Sequence, residues 1–323
     1  MTDLAPLNPA PRVLSAPEFQ HLADVPPEAQ WFSNLTSQQT RRAYQNDIGA
    51  FMRFAGIVQP EEFRRVTRGH VLAWRAELEK QALAGATLRR KLAALTSLFD
   101  YLCECNAVLH NPVKGVKRPV VDTLEGKTPA LSDAQARALL DAPPGNTMKG
   151  KRDRAILAVL LFHGLRREEL TKLCVKDFAQ ERRGVPHMRV QGKGGKLRFI
   201  PTHASALHLV GEYLACAGHG QDAEGPLFRR VRAPKAGQPA KTLTAGGVYS
   251  EVVVFYMHQL GIAGQNMGPH ALRATAATSA LEHDADIAKV QEWLGHASIS
   301  TTRVYDRRGS APEDSPTFRV TYG

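Results

Sequence analysis

The stretch AILAVLLFHGLRREEL, residues 155–170, decides how the second half of the chain folds. Its first part, AILAVLLF, is apolar on every side and predicts a helix that is buried all round, and Gly164 favours the end of that helix. Arg166 comes just after this end. A guanidinium is costly to bury without a partner, so Arg166 either lies on a surface turn or has partners elsewhere in the chain.

The composition is typical of a globular protein with room for more than one domain. The chain has 323 residues, of which 43% are hydrophobic and 23% charged, and this length allows two domains with separate cores. No apolar run approaches the roughly 20 residues of a membrane span, and the N-terminus lacks the layout of a secretory signal. We therefore expect a cytosolic protein with no membrane segment.

The net charge indicates the class of partner, and the cysteines indicate neither a disulfide framework nor a metal site. Lys and Arg total 42 against 31 Asp and Glu, a net charge of +11, and such a balance favours a polyanionic partner such as nucleic acid. Four cysteines are too few for a disulfide framework. Cys103, Cys105 and His110 are close in sequence, but their spacing is not that of a zinc site, so we expect no metal there.

Residues 31–112 predict a compact helical domain, preceded by an irregular arm at residues 1–30. Thr36, with Gln39 three residues later, predicts a capping box at the start of a first helix. The stretches VLAWRAELEKQALAG and ATLRRKLAALTSLFDYLCECN predict two more helices. Basic residues gather near two helix starts. One such cluster alone would favour a plain solvated surface, but two favour contact with DNA phosphates; the residues are Arg41, Arg42, Arg89, Arg90 and Lys91.

Residues 113–127 predict an interdomain linker that lies along a phosphate backbone, and residues 128–323 predict a second domain that ends in a tail. In HMRVQGKGGKLRFIP, apolar residues alternate on both sides of a glycine-rich turn, which predicts a β-hairpin with lysines at its tip. The tail segment TFRVTY alternates as a short strand does. Helices are expected at 203–217, 244–260, 270–283 and 285–294.

Three further stretches carry residues of types that often act in catalysis. PHALRATAATSALEH places His270 and Arg273 on one face of a helix near its start. WLGHASISTTRVYDRR places His296 just after a helix-ending glycine and Tyr305 nine residues later. GKGGK places two lysines on the hairpin turn. Each also has a structural alternative: a capping or core histidine, an interface tyrosine, or a plain turn.

Taken in order, these segments resemble the tyrosine recombinase (phage integrase) family. HGLRREEL resembles the first arginine box of that family, GKGGKLRFIP its lysine hairpin, HALRATAAT its HxxR box and LGHASISTTRVY its nucleophile box. The helices from TRRAY to NPVKGVKRP resemble its core-binding DNA domain. The resemblance covers roughly residues 30–308. It implies a mainly α fold with a small β-hairpin or sheet, that is, an all-helical core-binding domain followed by an α+β catalytic domain.

By position, the resemblance implies a site-specific recombinase that cuts and rejoins DNA strands. Arg166 and Arg273 would hold the scissile phosphate, and Tyr305 would attack it to form a 3′-phosphotyrosyl bond. Lys196 competes for the role of hairpin acid, because the sequence does not give the register of the turn. The other members of the implied set are the hairpin acid Lys193, the histidines His270 and His296, and the supporting acid Glu169.

The resemblance further implies double-stranded DNA sites as partners and four protomers at a synapse that exchange C-terminal segments. No metal or other cofactor is expected, because arginines and a lysine supply the positive charge. Ala274 and His163 depart from the family pattern, which usually has histidine and threonine there. Two other functions stay open: a type IB topoisomerase, and a non-catalytic DNA-binding relative, which the presence of Tyr305 and both arginines disfavours.

Overall fold

The computed structural model describes residues 15, 17, 25–119, 129–231, 241–262 and 267–307, apart from the side chain of Lys193. The chain divides into two compact units, Met1–Asp122 and Thr123–Gly323. Among the described residues, no helix is both long and apolar enough to cross a membrane. Most of the predicted arm, the end of the predicted linker and the tail segment TFRVTY lie outside the described residues.

The first unit is helical, and its helices share one apolar core. Its described helices are α1 (Pro27–Asn34), α2 (Gln38–Ala55), α3 (Arg68–Lys80) and α4 (Gly85–Glu104), with a 3₁₀ turn at Pro60–Arg65. Phe51 packs edge-on against Trp74, with ring centroids 5.0 Å apart. Val113 and Val116 are buried in the same core, so the first part of the predicted linker packs on this unit. Helix α1 begins within the stretch predicted as an arm.

Two helix starts in this unit differ from the prediction. Thr36 is not the cap of α2; Ser37 is, because its Oγ accepts a hydrogen bond from the N–H of Thr40. The helix predicted at 71–85 begins earlier, at Arg68, because the N–H of Thr67 donates to Nδ1 of His70 at 3.0 Å and caps the first turn. That helix also ends earlier, at Lys80, and Gly85, the last residue of the stretch predicted for it, opens α4.

The second unit is built around the buried helix that the opening stretch predicts. Residues 155–160 of α6 (Met148–His163) are fully buried, and Gly164 ends the helix in the left-handed conformation, with a φ of 56°. All four helices predicted downstream are confirmed near their predicted bounds. The other described helices are α5 (Asp133–Asp141), α7 (Arg167–Thr171), α8 (Ala204–Ala217), α9 (Ala245–Gly247), α10 (Val254–Gln259), α11 (Pro269–Glu282), α12 (Ile287–Leu294) and α13 (Ile299–Arg303), with a π-helical segment at Val248–Val253.

The predicted hairpin is part of a three-stranded antiparallel sheet. Its strands are β1 (Gln180–Arg182), β2 (Val185–Gln191) and β3 (Leu197–Pro201), paired in that order. Strand β1 is short and polar, so the sequence does not reveal it. Within β3, Leu197 and Phe199 face solvent, whereas Arg198 pairs with the buried Val190 and shares its face of the sheet.

Candidate active site

Arg166 stands between α6 and α7, and Glu169 holds it there. The main-chain N–H of Arg166 donates to Oε2 of Glu169 at 2.9 Å, and its Nη1 donates to Oε1 at 2.7 Å. The Glu169 side chain is 4% exposed and the Arg166 side chain 30%. A buried carboxylate therefore fixes the guanidinium, part of which stays open to solvent.

Arg273 is a buried cation that joins three of the predicted segments. It lies on α11, is 3% exposed, and donates to the carbonyl oxygen of Gly164 and, at 2.7 Å, to that of Leu294. Its Nη2 also donates to Nε2 of His296 at 2.9 Å. Burial, followed by the positive charge of Arg166, lowers the pKa of Arg273 to about 10, so the guanidinium stays protonated at neutral pH.

His296 is a neutral imidazole held between Arg273 and Thr302. Gly295 ends α12 with a φ of 66° and turns the chain at this point. Because a guanidinium only donates, Nε2 of His296 is an acceptor and Nδ1 carries the proton, which it donates to Oγ1 of the buried Thr302 at 2.9 Å. Burial and the charges of Arg273 and Arg166 lower the pKa of His296 to about 4.

Tyr305 lies half-buried just after α13, next to His296. Its N–H donates to the carbonyl oxygen of Thr302 at 2.9 Å, and its own carbonyl accepts from Oγ1 of Thr278 at 3.2 Å. The Tyr305 and His296 ring centroids are 6.0 Å apart. An ionised Tyr305 raises the pKa of Arg273, so the phenol is within electrostatic reach of the buried guanidinium.

His270 is exposed in the first turn of α11. Partial burial, followed by the positive charge of Arg167, lowers the pKa of His270, and Arg273 and Arg166 act in the same direction. His270 is therefore mostly neutral at pH 7 and lies within electrostatic reach of both site arginines.

A cleft of about 620 Å³ opens between the hairpin turn and the segment that carries His296. Arg166, Lys196 and His296 are among the residues that line it. The side chain of Lys193 lies outside the described structure. The choice of Lys193 over Lys196 as the hairpin acid therefore stays a prediction.

Arg198 joins this site, although the sequence reasoning missed it. Its Nη1 and Nη2 donate to the two carboxylate oxygens of Glu169, at 3.0 and 2.8 Å. In LRFIP the apolar Leu197 and Phe199 flank Arg198, so the pattern predicts that these two face the interior and that Arg198 faces solvent. Only the strand register, which places Arg198 across from Val190, reveals its direction.

The two departures from the family pattern are both packed in the interior. His163 is 1% exposed, its Nδ1 donates to the carbonyl oxygen of Val159 at 3.2 Å, and its Nε2 accepts from the N–H of His203 at 3.0 Å. Burial lowers the pKa of His163 to about 4. Both ring nitrogens of this neutral histidine are thus used inside the fold. Ala274 is fully buried on α11.

Three of the five predicted DNA-contacting cations have partners within the helical unit. Arg90 and Lys91 both pair with the carboxylate of Asp47, which is 1% exposed, and Lys91 Nζ lies 3.4 Å from it. Arg41 donates to the carbonyl oxygen of Leu35 at 2.6 Å. These three cations therefore contribute to folding, although the Arg90 side chain is also 45% exposed. The other two, Arg42 and Arg89, are exposed.

Two family models match the chain: the phage integrase family over residues 129–310, and the phage integrase N-terminal SAM-like domain over residues 30–105. The tyrosine recombinase XerC of Pelobacter propionicus is 34% identical over 272 residues, which cover 83% of this chain and 84% of the relative. The tyrosine recombinase XerD of Pseudomonas putida is 32% identical over 300 residues, which cover 90% and 93%.

Solved structures share the fold. The XerH site-specific recombinase bound to its difH substrate, in a pre-cleavage complex, has a TM-score of 0.63 at 19% identity over 90% of this chain and 84% of that one. A lambda integrase dimer bound to a COC′ core site has a TM-score of 0.65 at 17% identity over 88% and 77%.

The chain belongs to the phage integrase family. Within that family it is a tyrosine recombinase, an enzyme of DNA strand breakage and rejoining. The family and the mainly helical fold with a small sheet, both predicted from the sequence, are confirmed.

Proposed function

We propose that this tyrosine recombinase recombines specific DNA sites through a 3′-phosphotyrosyl intermediate formed on Tyr305. The observation that carries the assignment is the position of Arg273, whose buried guanidinium contacts the first arginine box at Gly164 and the nucleophile box at Leu294 and His296. A fixed positive charge beside a tyrosine suits a phosphodiester, because negative charge grows on its non-bridging oxygens during attack.

In the proposed first step, the phenol oxygen of Tyr305 attacks the scissile phosphorus. A phenol has an ordinary pKa of about 10 and must lose its proton as the bond forms. His296, whose ring lies beside that of Tyr305 and whose two ring nitrogens already have partners, would order the phenol, and His270 is the candidate to accept the proton. Arg166 and Arg273 hold the non-bridging oxygens through charge-assisted hydrogen bonds.

As the new bond forms, the bond from phosphorus to the 5′ oxygen breaks, and the hairpin lysine protonates the leaving oxygen. The products are a 3′-phosphotyrosyl bond and a free 5′ hydroxyl. Attack by a 5′ hydroxyl reverses the step and releases Tyr305. The covalent intermediate keeps the energy of the phosphodiester, so rejoining needs no nucleotide hydrolysis.

Nicked DNA duplexes drawn from the region that flanks the gene test this function. Cleavage just before the nick releases a short fragment that carries the free 5′ hydroxyl, so the step cannot reverse, and the covalent adduct accumulates and survives boiling in SDS. We expect such an adduct, mapped to Tyr305, on a defined sequence only. A topoisomerase would relax supercoiled plasmids that lack this sequence, and a non-catalytic DNA-binding protein would yield no adduct.

The hairpin acid has a chemical test. Sulfur in place of the leaving 5′ oxygen departs without a proton, so this substrate is expected to restore cleavage by a Lys193→Ala variant to near the wild-type rate. Arg166→Ala is the control, since it removes phosphate stabilisation and the sulfur substrate does not restore it. Rescue of Lys196→Ala, with none of Lys193→Ala, would transfer the role to Lys196.

We further propose that residues 31–112 form the core-binding domain and residues 128–323 the catalytic domain, with both domains gripping the duplex and the linker at 113–127 alongside it. The matches of residues 30–105 to the N-terminal SAM-like domain and of residues 129–310 to the phage integrase family support this division. Val113 and Val116 pack on the helical unit, so the first residues of the linker are held there. The relatives above are bacterial, so the compartment we propose is the cytoplasm.

The salt dependence of DNA affinity measures how much the helical unit contributes to DNA binding. Arg42 and Arg89 are exposed on α2 and α4, and loss of one phosphate contact flattens the log–log slope of affinity against salt by about 0.9. We expect this change from Arg42→Gln and from Arg89→Gln. Arg75→Gln removes the same charge from a residue paired with Glu79 and leaves the slope unchanged. Wild-type slopes in both test variants would deny the unit a role in DNA binding.

Strand exchange between two duplexes requires four cuts, so we propose four protomers at the synapse, linked by exchanged C-terminal tails. The tail lies outside the described residues, and its Pro-containing spacer and alternating TFRVTY support the proposal from sequence alone. Deletion of residues 311–323 is expected to spare DNA binding and adduct formation but to lower synapse formation and recombinant yield, as measured on native gels. A truncated protein that recombines normally would contradict the proposal.

A further inference from the structure

A single buried carboxylate, that of Glu169, accepts four hydrogen bonds from two arginines. Two come from the main chain and Nη1 of Arg166, and two come from Nη1 and Nη2 of Arg198. The side chains of Arg198 and Glu169 are 15% and 4% exposed. A planar guanidinium that binds both carboxylate oxygens fixes the plane of the carboxylate. The direction of Arg166 therefore depends on Arg198.

Arg198 also packs between the hairpin turn and the segment that carries His296. A Cβ atom at Gly192, in the turn, would lie 3.2 Å from Nη1 of Arg198, and one at Gly295 would lie 3.2 Å from the same atom and 3.4 Å from Cδ and Cζ. Both glycines thus leave room for this guanidinium. Gly295 directly precedes His296, so Arg198 contacts the two walls of the cleft at once.

We propose that Arg198 is a positioning residue for strand cleavage: packed between the hairpin turn and the segment that carries His296, it holds Arg166 in place through Glu169. This role rests on the proposed function, because it requires Arg166 to bind the scissile phosphate. Arg198 itself acts through Glu169 and not on the DNA.

The test compares Arg198→Met with a matched arginine on the neighbouring strand. Arg189, on β2, donates from Nε to Oδ1 of Asp177 at 2.7 Å and has no part in the proposed site. The measurements are the single-turnover rate of adduct formation on the nicked duplex, the affinity for DNA, and the thermal midpoint. We expect Arg198→Met to slow adduct formation about tenfold to a hundredfold at near wild-type affinity, and Arg189→Met to change the rate less than threefold.

Two further measurements separate a positioning role from a merely structural one. If Arg198 acts through Glu169, then adding Arg198→Met to a Glu169→Gln variant lowers the rate of adduct formation by less than about threefold further. Burial raises the pKa of Glu169, but hydrogen bonds from Arg198 and Arg166 outweigh burial and lower it overall. Without Arg198 this carboxyl protonates at higher pH, so on acidification the rate of Arg198→Met should begin to fall at a higher pH than the wild-type rate does.

Arg198→Lys is a milder substitution that keeps the positive charge, so it replaces Arg198→Met in this test if that variant fails to fold. It should lose several-fold in rate, because an ammonium does not bind both oxygens in the same plane. A wild-type rate in Arg198→Lys, or equal losses in the Arg198→Met and Arg189→Met variants, would overturn the inference. A wild-type protein that forms no adduct would instead overturn the proposed function.

Discussion

Replacing Tyr305 by phenylalanine is expected to abolish the covalent protein–DNA complex while leaving DNA affinity close to that of the wild type. The rate should fall by at least about 10⁴-fold, the scale for loss of a catalytic nucleophile. The fold should persist, because the hydrogen bonds of this residue to Thr302 and Thr278 use main-chain atoms of Tyr305, and the ring packs against the cluster between α11 and α12. Only the hydroxyl is lost.

Adduct formation on the nicked duplex and a binding titration on intact DNA measure the two effects separately. Tyr249→Phe is the matched control, because Tyr249 is a partly exposed tyrosine of the same unit outside the proposed site. It should form adduct at the wild-type rate. An SDS-resistant adduct that persists in Tyr305→Phe would assign the nucleophile to another residue.

Much of the fold follows from local patterns in the sequence. AILAVLLF predicts a helix that is buried all round, and residues 155–160 are indeed fully buried. Gly164 predicts the helix end, which its left-handed conformation confirms. The helix starts in the first unit are less predictable, because Thr36 and Ser37 are both good caps and only the hydrogen bond to Thr40 chooses between them.

The sequence predicts the candidate site only in part, for a different reason: some residues that pair within the site are distant in sequence. Arg166 and Glu169 are one helical turn apart, so their pairing follows from spacing alone. Arg198 reaches the same carboxylate from strand β3, and its direction depends on a strand register that no local pattern gives. The same holds for Arg90, whose buried partner Asp47 lies on a different helix.

Loss of Arg273 is expected to affect both catalysis and stability. Arg273→Met removes one of the two proposed phosphate donors and should slow adduct formation by about 10²- to 10³-fold, the usual effect of losing a fixed charge-stabilising donor. It also leaves the carbonyl oxygens of Gly164 and Leu294 without this donor. Burial of each unpaired acceptor costs about 1–3 kcal/mol, so the free energy of unfolding should fall measurably.

Arg166 provides the contrast that separates these two effects. Its side chain is 30% exposed and its guanidinium bonds to Glu169, which keeps Arg198 as a partner. Arg166→Met should therefore slow adduct formation by a similar factor while lowering the free energy of unfolding by less than Arg273→Met does. Denaturant unfolding and single-turnover cleavage on the same samples provide the comparison. An Arg273→Lys variant that folds normally and cleaves within tenfold of the wild type would contradict the role of Arg273, because an ammonium lacks the paired donors with which a guanidinium joins Gly164, Leu294 and His296.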